Sequence, residues 1–226
     1  MYYENMQEAI FLERPNRFIA RIAIDGTQEI AHVKNTGRCK ELLTNGCKIY
    51  VQHFDSDKRK TKYDLINVVK NNLLINMDSQ APNKVVQEWL EQEKPFGEII
   101  KMKPEYTCGK SRFDFYLELP NKKMFIEVKG VTLEENGVVL FPDAPTERGL
   151  KHVEELIRLK KQGFEATIIF VVQMENARYF TPNRKTQPAF ADALQKARDN
   201  GVQVLAYTCH VSKNSLGLAK ALEVKI

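Results

Sequence analysis

Asp114, Glu127 and Lys129 are the residues of this 226-residue chain whose types and spacing point most directly to chemistry. They lie in two apolar-alternating segments, 112–119 and 124–132, that read as an antiparallel pair. Placing Leu119 opposite Met124, with residues 120–123 as the loop, sorts the side chains. One face takes Phe113, Phe115, Leu117, Leu119, Met124, Ile126 and Val128, and the other takes Arg112, Asp114, Tyr116, Glu118, Phe125, Glu127 and Lys129. In that register Asp114 is directly across from Lys129, roughly 5 Å between Cβ atoms, with Glu127 on the diagonal at roughly 7 Å. Two carboxylates and an ammonium then converge. Hard cations such as Mg²⁺ or Mn²⁺ accept one or two protein carboxylates and complete their shell with water and substrate phosphate. Metal ligands Asp114 and Glu127, with Lys129 orienting a water or stabilising charge, would suit a phosphodiester substrate. The alternative is a solvated polar face carrying an ion pair worth about 0–1 kcal/mol. Helices that cover the sheet favour the ligand, because ionised groups aimed at a covered surface need a partner.

The surrounding pattern says what must position these residues. Segments 18–24, 28–33 and 48–51 alternate apolar and polar residues between Gly and Asn turns, the mark of antiparallel strands closing into a small barrel. A short helix is expected at 39–43. The polar, Pro-containing stretch 78–83 separates strand-like from helix-like pattern, so the domains are taken as 1–81 and 82–226. Asn83 is read as the cap of a helix carrying Val85, Val86, Trp89 and Leu90 at helical spacing. Strands follow at 98–103, 112–119 and 124–132. A helix opens at Thr146 with Glu147 in its first turn and ends at Gly163. The apolar run 166–172 is a buried strand, a helix at 188–200 stops at Gly201, and a strand runs over 202–207. That order predicts an α/β architecture: a small barrel, then a mixed sheet of αβββαβ type covered by helices.

Composition sets looser bounds. A net charge of +5 and an isoelectric point near 8.9 favour an anionic partner mildly. No apolar run approaches the ~18 residues of a membrane span. The N-terminal residues Met1 to Asn5 show no basic stretch leading into an apolar core, so a cytoplasmic location is expected. The four cysteines, Cys39, Cys47, Cys108 and Cys209, have no C-x-x-C spacing and are read as unpaired thiols.

Asp114, a spacer, then Glu127-Val128-Lys129 resembles the PD-(D/E)xK nuclease signature, although no Pro directly precedes Asp114. The wider sequence is more specific. His32-Val33-Lys34-Asn35-Thr36-Gly37-Arg38, Arg59-Lys60-Thr61, Ser111-Arg112-Phe113-Asp114 and the stretch from Phe141-Pro142-Asp143 through Thr146-Glu147-Arg148 to His152 resemble the sugar fermentation stimulation protein A (SfsA) family over nearly the whole chain. The resemblance implies an OB-type barrel, a nuclease-like second domain, DNA binding and a role in regulating sugar utilisation.

Nuclease-like folds often add an acidic residue from the first helix, which makes Glu88 a further catalytic candidate beside its reading as an exposed helix residue. Arg148 and His152, four apart on one helix face, can meet phosphate or form a surface pair. Asp143 either supplements the metal shell or serves the turn beside Pro142. In the barrel Lys34, Asn35, Arg38 and Lys40, with Arg59 and Lys60, form positive clusters of the kind that track a nucleic-acid backbone, or solvated loops. His53 and His210 have no partner that sequence reveals. Three functions compete: a metal-dependent nuclease, a DNA-binding regulator without enzymatic activity, and an enzyme acting on sugars. The last is disfavoured, because no glycosidase-like carboxylate pair and no phosphate-cradling Gly-rich loop is present.

Overall fold

The computed structural model describes every residue except Thr36, which belongs to the 32–38 motif, and Lys110. Six strands come first: β1 (Met6–Asn16), β2 (Ile19–Ile24), β3 (Thr27–Val33), β4 (Lys48–His53), β5 (Tyr63–Lys70) and β6 (Leu73–Asn76). They lie in the order β3-β2-β1-β4-β5-β6, and a parallel pairing of β3 with β5 closes the first five into the expected OB-type barrel. Ala20, Ile22, Ala31, Ile49, Val51, Leu65 and Val68 fill it, each buried. Strand β1 extends well before the segment where strand pattern was recognised, and the helix expected at 39–43 is only a turn, with Leu43 N bonded to Cys39 O. Cys39 itself has φ 45°, a left-handed conformation that interrupts a right-handed helix at its start.

Helix α1 (Ala81–Glu93) opens the second half, followed by β7 (Lys101–Cys108), β8 (Ser111–Leu119) and β9 (Lys122–Val131). Next come β10 (Leu133–Glu135), β11 (Val138–Phe141), α2 (Glu147–Lys161), β12 (Glu165–Val172), β13 (Tyr179–Pro182), α3 (Pro188–Asp199), β14 (Gln203–Val211) and β15 (Leu216–Ala221). The main sheet has the order β15-β14-β12-β9-β8-β7 and is mixed: β12 runs parallel to β9 and β14, and the outer pairings are antiparallel. Thr146 caps α2 as expected, its hydroxyl accepting Gly149 N–H at 3.0 Å. Asn83 does not cap α1. The helix begins two residues earlier with Pro82 in its first turn, which frees the Asn83 side chain for another partner.

Both faces of the sheet are covered. Val85, Val86 and Leu90 of α1 pack with Phe115, Leu117, Ile126, Val128 and Ile169. On the other face Val153, Leu156 and Leu159 of α2 join Phe113, Phe125, Ile168 and Phe170. This double coverage explains why residues 166–172 are apolar without alternation.

Candidate functional site

The β8–β9 hairpin turns on two residues, Pro120 and Asn121, so Leu119 pairs with Lys122 rather than Met124. Pro120, with φ fixed at about −65°, suits the first position of this turn, and the ladder runs up to it. The register is therefore two residues away from the sequence expectation. An even shift keeps each side chain of the paired stretch, Phe115 to Leu119 and Lys122 to Ile126, on its own face while its partner changes. The ladder proceeds from the turn to Phe115 opposite Ile126 and stops. There the Asp114 carboxylate takes over: Oδ2 accepts the Val128 N–H at 2.7 Å, and Oδ1 accepts Nδ2 of Asn83 at 2.8 Å. Phe113 departs from its expected face and packs against Phe125 and His152 on the α2 side. Across this point on β7, Glu105 has φ 51°, an irregularity between the paired residues Pro104 and Tyr106.

Glu127 is 2 % exposed. Its Oε1 is engaged by Lys129 Nζ at 2.5 Å and by Nδ1 of His152, which descends from α2. An ionised carboxylate can only accept, so Nδ1 carries the hydrogen. The second oxygen, Oε2, is buried with no partner. Burial alone would raise the Glu127 carboxyl, but the His152 hydrogen bond and the Lys129 charge outweigh it and hold the group below the usual glutamate value. Asp114 moves the opposite way: burial first and the Glu127 charge second raise it, against the Val128 N–H and Asn83. The pair thus holds one well-compensated carboxylate and one whose hydrogen-bond donors are both neutral, with the Lys129 charge as its weakest compensation.

A divalent cation would supply what is missing. Orphaned Glu127 Oε2 and the raised Asp114 fit an oxygen-seeking ion that brings its own water and phosphate ligands. Among the described residues no group of three or more His, Cys, Asp or Glu is placed to hold a metal, so the protein set would be these two carboxylates.

The other candidates divide. His152 joins the cluster through Glu127 and not as a partner of Arg148, which is exposed. Glu88 does not join: its carboxylate is paired with the Met1 amino group at 2.8 Å, and the α1 residue that reaches Asp114 is Asn83. Asp143 also lies elsewhere, its carboxylate so close to Gly37 that a Cβ there would collide with it. In the barrel Lys34 is held between the buried Asp64 and Asp78, at 3.2 and 3.3 Å, and Asn35 Oδ1 accepts Gly37 N–H. Arg59 is bonded to Asp64 and lies over the Phe54 ring. By contrast Arg38, Lys40, Lys60 and Arg148 are exposed, with no carboxylate partner among the described residues. Asn83 escaped sequence reasoning because an Asn at a helix start reads as a cap.

A family model described as the sugar fermentation stimulation protein RE domain matches residues 80–215, and one described as the SfsA N-terminal OB domain matches 12–77. The chain belongs to the SfsA family. Similar relatives include a sugar fermentation stimulation protein homolog of Desulfitobacterium hafniense, 55 % identical over all of this chain and 99 % of that protein. Another, from Ruminiclostridium cellulolyticum, is 53 % identical over the full length of both. The structure of Pyrococcus furiosus SfsA in complex with Ca²⁺ superposes on this SfsA-family chain with a TM-score of 0.89 at 31 % identity, covering 100 % of this chain and 98 % of that one. No described helix is long and apolar enough to cross a membrane.

Proposed function

We propose that this protein binds DNA and holds Mg²⁺ or Mn²⁺ between Asp114 and Glu127 as a metal-dependent phosphodiesterase, acting as a nuclease in the control of sugar utilisation. The observation that carries the reading is Glu127 Oε2, a buried carboxylate oxygen with no partner beside a second carboxylate. Ca²⁺ in the Pyrococcus furiosus relative agrees in kind, since it is another hard cation that seeks oxygen. Bound metal supplies Lewis acidity at a phosphoryl oxygen. The chain's own residues do the rest. His152 and Lys129 fix Glu127 through Oε1, Asn83 and Val128 N–H fix Asp114, and Lys129 is near enough to donate to a phosphate oxygen or the attacking water. Exposed Arg38, Lys40, Lys60 and Arg148 supply charge for the nucleic-acid backbone. The barrel half, 1–81, serves as the nucleic-acid-binding domain and 82–226 as the nuclease-like one. Four free thiols suit the reducing cytoplasm.

Calorimetric titration with Mn²⁺ tests the site. Glu127→Gln and Asp114→Asn should each weaken binding at least tenfold in a folded protein, and unchanged affinity in both overturns the metal assignment. If metal binds but wild-type protein cleaves no single- or double-stranded DNA or RNA, the enzymatic part is lost and a DNA-binding regulator remains.

A further inference from the structure

Beside the barrel lies a groove of about 380 Å³, bounded by the end of β1, the β1–β2 turn and residues 37–43. Its shape is set by Arg14, whose guanidinium donates to four main-chain oxygens, those of Arg17, Asn35, Gly37 and Arg38, at 2.6–3.0 Å. One half-buried side chain thus ties the β1–β2 turn to the loop after β3. With Arg14 occupied inside, Arg17, Arg38 and Lys40 line the groove and reach solvent, and none has a carboxylate partner among the described residues. Glu41 and Asp143 stand beside the groove, the Asp143 carboxylate against Gly37 of its wall, but neither forms an ion pair with these three cations. Leu43 and Cys39 give the groove apolar wall, and burial followed by the Asp143 charge pushes the Cys39 thiol up to about 12, so it stays neutral. Next to Arg17 stands Phe18, 44 % exposed, with the Arg17 guanidinium 4.8 Å from its ring centre.

We infer that this groove takes one strand of unpaired nucleic acid, its phosphate among Arg17, Arg38 and Lys40 and a base stacked on Phe18. The inference rests on the proposed function and names its substrate class. Three cations with no ion-pair partner among the described residues call for an anion, and an exposed aromatic ring beside Arg17 calls for a flat apolar face. Phosphate alone would leave Phe18 unused, and an apolar peptide would leave the cations unused. Duplex DNA keeps its base faces buried in the stack, so only a single strand or a frayed end offers both groups at this spacing.

The test uses the full-length protein in EDTA, where no metal chemistry contributes, with fluorescein-labelled oligothymidylate, oligouridylate and a blunt duplex of mixed sequence. Wild type should bind the single strands more tightly than the duplex, and the two single strands distinguish DNA from RNA. Phe18→Ala should weaken single-strand binding about tenfold and leave duplex binding unchanged, whereas Phe18→Trp should retain it. Replacing Arg38 and Lys40 together by Ala should reduce the single-strand salt slope by about 1.4 units. Equal binding of duplex and single strands, or a Phe18→Ala effect of equal size on both, overturns the groove assignment. Mn²⁺ titration of the same preparations reports on the carboxylate site separately, so failure of one reading does not imply failure of the other.

Discussion

Lys129 and His152 meet on a single atom, Oε1 of Glu127, one from the same strand and the other from helix α2. Because both donors choose the same oxygen, the carboxylate is pinned while Oε2 is left for another partner. Metal ligands are usually oriented in this way by hydrogen bonds from behind.

Replacing His152 by Ala removes one of these donors without touching the orphan oxygen. Mn²⁺ affinity should fall by roughly 10–100-fold. Titration of His152→Asn, which keeps a donor at a similar reach, should recover part of the loss. Affinity unaltered in both variants would show that α2 contributes packing alone.

Lys129→Met should separate binding from chemistry. The ammonium is not a metal ligand while protonated, so Mn²⁺ and DNA affinities should change only a few-fold. Mg²⁺-dependent cleavage should drop by roughly two orders of magnitude, the usual loss on removing a preorganised charge from the transition state. Cleavage that survives this change together with Asp114→Asn would come from a contaminant.

Arg59→Ala should act mainly on stability. The guanidinium is bonded to Asp64, which is nearly inaccessible to solvent, and stacks on Phe54. Its loss should cost about 1–2 kcal/mol in urea denaturation, since Lys34 remains to compensate Asp64. The salt slope of DNA binding should change less than in the Arg38 and Lys40 variant. A slope change as large as that of the Arg38 and Lys40 variant would return Arg59 to the phosphate contacts.

Glu134→Gln should show a pH signature. Glu134 accepts from Lys70 Nζ at 2.8 Å and from Gly137 N–H, which clamps β10 to the barrel strand β5. Burial opposes ionisation, but the Lys70 hydrogen bond and the Gly137 N–H outweigh it, so the folded-state carboxyl titrates below its usual value. A lowered folded value stabilises the protein above the unfolded pKa and ceases to do so as pH falls through the folded one. The melting temperature of the variant should therefore lie below that of the wild type at pH 7, with the gap closing below about pH 4.5. A gap constant from pH 7 to pH 3 would exclude the ion pair as its source.

Residue types and periodicity alone were enough for the barrel, the covered mixed sheet, the Thr146 cap and the gathering of Asp114, Glu127 and Lys129. Each follows from a local rule: period-two alternation for strands, helical spacing for α1 and α2, a hydroxyl at a helix start. Even a register error of two residues left that gathering intact, because strand faces depend on parity and not on the absolute partner. What required the tertiary structure was every relationship between distant segments. No local signal says that Asn83 turns from its helix to Asp114, that His152 reaches Glu127 or that Glu88 faces the Met1 amino group. Nor does one say that Arg14 gathers four carbonyls while Arg38 stays free. A charged side chain in the sequence carries no mark of whether it will be neutralised. The packing of strands and helices decides which carboxylate lies within reach, and so which cations are left without an ion pair.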